Sequence, residues 1–155
     1  LAREVASRLG AEMVDTDALV QERAGKSISQ IVDQSGWETF RDLEEEALSE
    51  ACDAPGRIVA TGGGIVLRET NRQLLRSSGA VFYLMSDIPL LRQRLAQDDD
   101  IGERPALSDA PPEEELVQSL REREPLYYEC LDYILPAENT PSDLAERVLQ
   151  TLGMS

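Results

Sequence analysis

Ile58-Val59-Ala60-Thr61-Gly62-Gly63-Gly64 is a short apolar run that ends in three consecutive glycines. The run is long enough for a buried strand. Glycine has no Cβ, so backbone built from it can press directly against a ligand. A strand ending this way delivers bare N–H groups at the carboxyl edge of a sheet, where open α/β sheets bind ligands. One glycine there would be an ordinary turn. Three in a row cost too much backbone entropy to be a casual one, so the stretch reads as a binding loop.

On either side, helix and strand alternate. Leu1, Val5 and Leu9 recur at helical spacing, and Gly10 suits a C-terminal cap. Residues 12–14 are a short strand running into Asp15-Thr16-Asp17. Residues 17–24 are helical, with Gly25 as the stop. Residues 27–34 form a second short helix ended by Gly36, and 38–52 a longer one. Residues 57–61 are the strand before the glycines. A helix covers 70–77, a strand 80–84, and a helix opened by Pro89 runs to 97. Residues 98–112 are polar, hold Pro105, Pro111 and Pro112, and read as a mobile loop. The next helix runs to about Cys130, with a kink or boundary expected near Glu124 because Pro125 follows. Residues 133–135 are the last strand, and Ser142 is the expected cap of a helix reaching Leu152. Short apolar strands between helices imply a parallel sheet covered on both faces.

The 155 residues suffice for one domain with a real core. Acidic residues outnumber basic ones by 30 to 15, a net charge of −15. That argues against nucleic acid or an anionic membrane as the main partner, while leaving a small anionic ligand open. Lys26 is the sole lysine; the other basic residues are arginines, which bind carboxylate and phosphate in bidentate fashion. Cys52 and Cys130 have no metal-site spacing and read as reduced thiols of a cytoplasmic protein. With no histidine, Ser-His triads and His-ligated zinc are excluded. No apolar run reaches membrane-span length.

Asp15-Thr16-Asp17 closes the first strand. One carboxylate can serve Mg²⁺, directly or through water, and the other can accept a hydrogen bond from a substrate hydroxyl. The plainer alternative is a helix N-cap by Asp15 or Thr16. Further features line up in order: Trp37-Glu38-Thr39-Phe40-Arg41, then Ala60-Thr61-Gly62-Gly63-Gly64, then Arg104-Pro105, then Arg123-Glu124-Pro125-Leu126-Tyr127, then Asn139-Thr140-Pro141. Taken together, in this order and at these spacings, the chain resembles the shikimate kinases over essentially its whole length.

The resemblance implies a P-loop kinase-like three-layer α/β fold, with a parallel sheet of five strands whose central first strand is absent from this chain. It implies transfer of the γ-phosphoryl group of Mg·ATP to the 3-hydroxyl of shikimate. On that basis Asp17 would hold the shikimate hydroxyls and help deprotonate the attacking one. Arg41 and Arg123 would clamp the carboxylate, and Gly62, Gly63 and Gly64 would floor the site. Asp15 would enter the Mg²⁺ shell through water. Arg104, in the lid 98–112, would swing onto the phosphates, and Arg94 and Pro141 would border the adenine. Residues 17–52 would supply the substrate-binding helices, and the enzyme would act as a monomer.

Other features read as bland. Arg68, Arg72, Arg76 and Arg121 are surface ion-pairing residues, Glu44-Glu45-Glu46 a solvated helix face, and Trp37 and Phe40 packing around the pocket. Tyr127 and Tyr128 pack and hydrogen-bond. The family's phosphate loop, G-x-x-x-x-G-K-[ST], is expected immediately before Leu1. Gly25-Lys26-Ser27 resembles its end, but the first motif glycine would fall on Val20, so Lys26 is assigned no ATP contact. The expectation is a natural product longer by about 15–20 residues, one strand plus the loop, with the 155 residues alone inactive. Two alternatives stand beside the kinase: a related small-molecule kinase such as one for gluconate, and a non-catalytic shikimate-binding protein.

Overall fold

In a computed structural model, which describes residues 1–97 and 105–154, helices and strands alternate as the sequence predicts. They are α1 Ala2–Leu9, β1 Met13–Asp15, α2 Thr16–Ala24, α3 Ile28–Cys52, β2 Ile58–Ala60, a 3-10 helix Gly63–Leu67, α4 Glu69–Ser78, β3 Phe82–Met85, α5 Ile88–Ala96, α6 Pro112–Cys130, β4 Tyr133–Pro136 and α7 Pro141–Thr151.

The strands form two parallel pairs. Met13, Val14 and Asp15 of β1 face Ile58, Val59 and Ala60 of β2. Phe82 to Met85 of β3 run beside Tyr133 to Pro136 of β4. Helical crossovers connect each pair, as parallel strands require. Among the described residues, the pairs belong to two separate two-stranded sheets.

Side-chain alternation on β2 distributes the core between two faces. Ile58 packs with Phe82 of β3 and Leu135 of β4 against Val5 of α1 and Leu144, Ala145 and Val148 of α7. Val59 packs on the other face with Leu48 of α3, with Ile65 and Val66 of the 3-10 helix, and with Cys130 of α6. A third cluster joins α2 to α3 through Val20, Ile31, Phe40 and Ala47. Arg8 ties α1 to α7, donating to Glu146 at 3.0 Å and to the Ser142 hydroxyl at 2.6 Å.

Several local expectations change. The helices predicted over 27–34 and 38–52 run together as α3, broken at Gly36, whose φ of 83° and ψ of 168° are not helical. Ser27 and Gln30 close a capping box at its start. Pro125 ends nothing: α6 continues through it to Cys130. The exposed ring sits in a helix whose next residues, Leu126 and Tyr127, pack into the core. The cap of α7 is Thr140 rather than Ser142; its hydroxyl accepts the Asp143 N–H at 3.2 Å, and Pro141 takes the first helical position. Asp87, just before Pro89, caps α5 by accepting the Leu90 N–H at 2.8 Å. Lys26 donates to Gln34 at 2.7 Å, within the α3 start rather than a phosphate loop.

Candidate active site

β1 and β2 end side by side, so their carboxyl ends deliver Asp15 and the glycine segment to one edge. Asp15 is the N-cap of α2: its Oδ1 accepts the N–H groups of Asp17 at 3.0 Å and Ala18 at 3.2 Å. Capping leaves Oδ2 without a hydrogen bond among the described residues. Asp17, in the first turn of α2, points back to the glycines.

None of Gly62, Gly63 or Gly64 has positive φ. Their backbone could be that of any residue, so the demand for glycine comes from what surrounds them. A Cβ on Gly62 would lie 3.1 Å from Asp17 Oδ2. On Gly63 it would lie 2.9 Å from the Tyr127 hydroxyl and 3.7 Å from Arg123 Nη1. On Gly64 it would lie 2.6 Å from Arg41 Nη2. Real Cβ atoms seldom approach as closely as the first, and essentially never as closely as the other two. Each glycine makes room for a different side chain: Asp17 at Gly62, Tyr127 at Gly63 and Arg41 at Gly64.

Arg41 comes from α3, and only 9% of it is exposed. Its guanidinium lies over Trp37 and Phe40, 5.2 and 5.1 Å from the ring centroids, and the two rings meet edge to face. It donates to Glu44 Oε2 at 2.6 Å. Glu44 is 1% exposed, so the reading of 44–46 as a solvated face fails at its first residue. An arginine three positions earlier on a helix is the sequence signal for this pair. Burial raises the Glu44 pKa above the usual carboxylate value, although Arg41 opposes the shift; the charges of Asp17 and Arg123 act on it as well. At 2.6 Å this buried carboxylate holds the Arg41 guanidinium in place.

Arg123 reaches the same spot from α6. A cleft of about 460 Å³ opens over Arg41 and Arg123 and is lined also by Trp37, Leu67, Arg68 and Leu107. Its size suits a small organic acid. Glu115 Oε1 fixes the loop on the rim, accepting the N–H groups of Leu107 and Ser108 at 2.7 Å each. Arg68 is held by Glu45 at 2.9 Å and Asp42 at 2.7 Å, which raise its pKa further. Arg72 does more than pair on the surface: besides Glu129 at 2.8 Å, it donates to the Val66 carbonyl at 2.7 Å and so braces the 3-10 helix.

The structure thus brings together Asp17, Arg41, Gly62, Gly63, Gly64 and Arg123, and adds Glu44 and Tyr127. Arg94 lies elsewhere: it hydrogen-bonds the Ala137 carbonyl, in the loop between β4 and Pro141. Arg104 and residues 98–103 of the expected lid fall outside the described residues. Among those described, no group of three acidic, cysteine or histidine side chains could hold a metal, and no helix is long and apolar enough to cross a membrane.

A family model described as shikimate kinase matches residues 1–153. Shikimate kinase 2 of Dickeya chrysanthemi is 41% identical over 154 residues, covering 99% of this chain and 88% of that protein. Shikimate kinase 2 of Enterobacter sp. (strain 638) is 39% identical over 152 residues, covering 98% and 87%. A solved structure of shikimate kinase from Acinetobacter baumannii in complex with shikimate superposes with a TM-score of 0.90 at 32% identity, covering 97% of this chain and 83% of that one.

Proposed function

Because the chain belongs to the shikimate kinase family, we propose that it transfers the γ-phosphoryl group of ATP to the 3-hydroxyl of shikimate. The observation that carries this reading is the convergence of Arg41, Arg123 and Asp17 on three glycines. Two guanidinium groups from different helices offer fork-shaped donors to one carboxylate. The Asp17 carboxylate, beside Gly62, offers acceptors to ring hydroxyls.

In the transfer, a bond forms between the shikimate 3-oxygen and the γ-phosphorus while the bond from that phosphorus to the β,γ-bridging oxygen breaks. The hydroxyl proton passes to the Asp17 carboxylate, and shikimate 3-phosphate and ADP leave. Phosphoryl transfer needs positioning and charge neutralisation more than a strong base, so the protein's work is to fix the acid by its carboxylate and aim its hydroxyl. Arg104 is assigned to the phosphates by its motif alone. Arg94 and Pro141 would border the adenine; the Arg94 bond to Ala137 supports their sharing one corner.

Mg²⁺ fits Asp15. The ion takes hard oxygen ligands, usually one or two carboxylates, with phosphates and waters completing its shell. Asp15 offers the oxygen that capping leaves over. When bound, the ion would neutralise phosphate charge. Free thiols at Cys52 and Cys130 accord with the reducing cytoplasm, and a monomer is what the family resemblance implies.

The test is ADP release by the full-length gene product with Mg·ATP and either shikimate or gluconate. Shikimate-dependent release is expected. Release with gluconate alone would make it a different polyol kinase, and shikimate binding without turnover would make it a binding protein.

A further inference from the structure

Tyr127 follows Arg123 by four residues, one turn along the same face of α6. Its hydroxyl donates to the Gly63 carbonyl at 2.7 Å. Its ring stacks on Tyr83 of β3, with centroids 4.7 Å apart and planes 25° from parallel, so the hydroxyl cannot slide sideways without breaking that stack. Burial raises the phenol's pKa, although the positive charge of Arg123 opposes the shift. The group therefore stays a protonated donor throughout the neutral range.

The point where a Cβ of residue 63 would sit touches both the Tyr127 hydroxyl and the Arg123 guanidinium. The backbone there is helical in sign, so no conformational demand explains the missing side chain. The neighbouring carbonyls are fixed in a similar way. Ile65 O accepts from the buried Asn71 amide at 3.0 Å, and Val66 O accepts from Arg72 at 2.7 Å. Tyr127 is the member of this set that also borders Arg123.

We propose that Tyr127 is a positioning residue for the acid-binding cleft: its hydroxyl pins Gly63 and sets the glycine floor against Arg123, and it is the reason that position 63 is glycine. The kinetic part rests on the proposed shikimate site; the packing part does not.

The experiment compares wild type, Tyr127→Phe, Gly63→Ala and the double variant in the full-length gene product, reading KM for shikimate, KM for ATP, kcat and Tm. Phenylalanine keeps the ring stacked on Tyr83 and removes the hydroxyl, with its bond to the Gly63 carbonyl and its contact with Arg123. KM for shikimate should rise about five-fold, with kcat within about two-fold and KM for ATP unchanged. Gly63→Ala should damage both Tm and KM, and adding Tyr127→Phe should recover part of each loss, because the clashing oxygen is gone. Two results would overturn the proposal: an unchanged KM for shikimate in Tyr127→Phe, or losses as large in the double variant as in Gly63→Ala alone. If wild type shows no shikimate turnover, the functional reading fails alone, and recovery of Tm in the double variant still decides the packing claim.

Discussion

Arg41 and Arg123, some eighty residues apart in sequence and on two helices, approach one short stretch of backbone, Arg41 in the space that Gly64 leaves and Arg123 in ordinary contact beside Gly63. Arg123 carries the cleaner test, since Arg41 is also half of a buried pair with Glu44. Truncating Arg123 to alanine removes a charge-assisted contact and should raise KM for shikimate about 10–100-fold, with KM for ATP near normal; steady-state kinetics against each substrate checks this, and an unchanged shikimate KM removes Arg123 from the site. Both arginines are legible in the sequence because each sits in a recognisable motif. Glu44 has only the spacing to Arg41 as a signal, because a run of three glutamates looks solvated until the helix is oriented, and orientation is set by Phe40, Ala47 and Leu48 turning inward. Tyr127 is legible only as a packing and hydrogen-bonding residue, since its partner Gly63 lies 64 residues away.

At the scale of elements, periodicity and punctuation locate the α-helices and strands to within a residue or two, and miss where tertiary packing overrides a local rule. Pro125 by itself would end its helix, yet Leu126 and Tyr127 beyond it are held in the core, enough to offset a cost of about 3 kcal/mol. Ser142 and Thr140 are equivalent as caps on paper; Pro141, suited to the first helical position, decides for Thr140. Gly36 does interrupt the helix, and α3 resumes directly beyond it. Its φ and ψ belong to a region open essentially to glycine alone, and a Cβ there would meet nothing within 4 Å. Gly36→Ala should therefore cost about 1–3 kcal/mol from backbone strain alone, lowering Tm by about 2–4 °C per kcal/mol. Thermal denaturation checks it, and an unchanged Tm would mean that the break is not conformationally required.

Over the whole molecule, two parallel strand pairs have α1 and α7 packed on one face and α3 and α6 on the other, and the carboxyl ends of β1 and β2 form the edge that carries Asp15 and the glycines. The overall charge of −15 does not describe that edge. Ion pairs with Glu38, Asp42 and Glu45 hold Arg68, and Glu44 holds Arg41 at 2.6 Å. The cleft itself mixes signs, with Arg41, Arg68 and Arg123 set among Glu38, Glu115 and Glu122. On the proposed reading, the carboxylate of shikimate is the group this cleft recognises. Calorimetric titration of the full-length gene product with shikimate and with its methyl ester isolates that group, because the two ligands differ by its one charge. The ester should bind about 100-fold more weakly, the loss of contacts to two guanidinium groups; equal affinities would mean that the two arginines do not bind the acid.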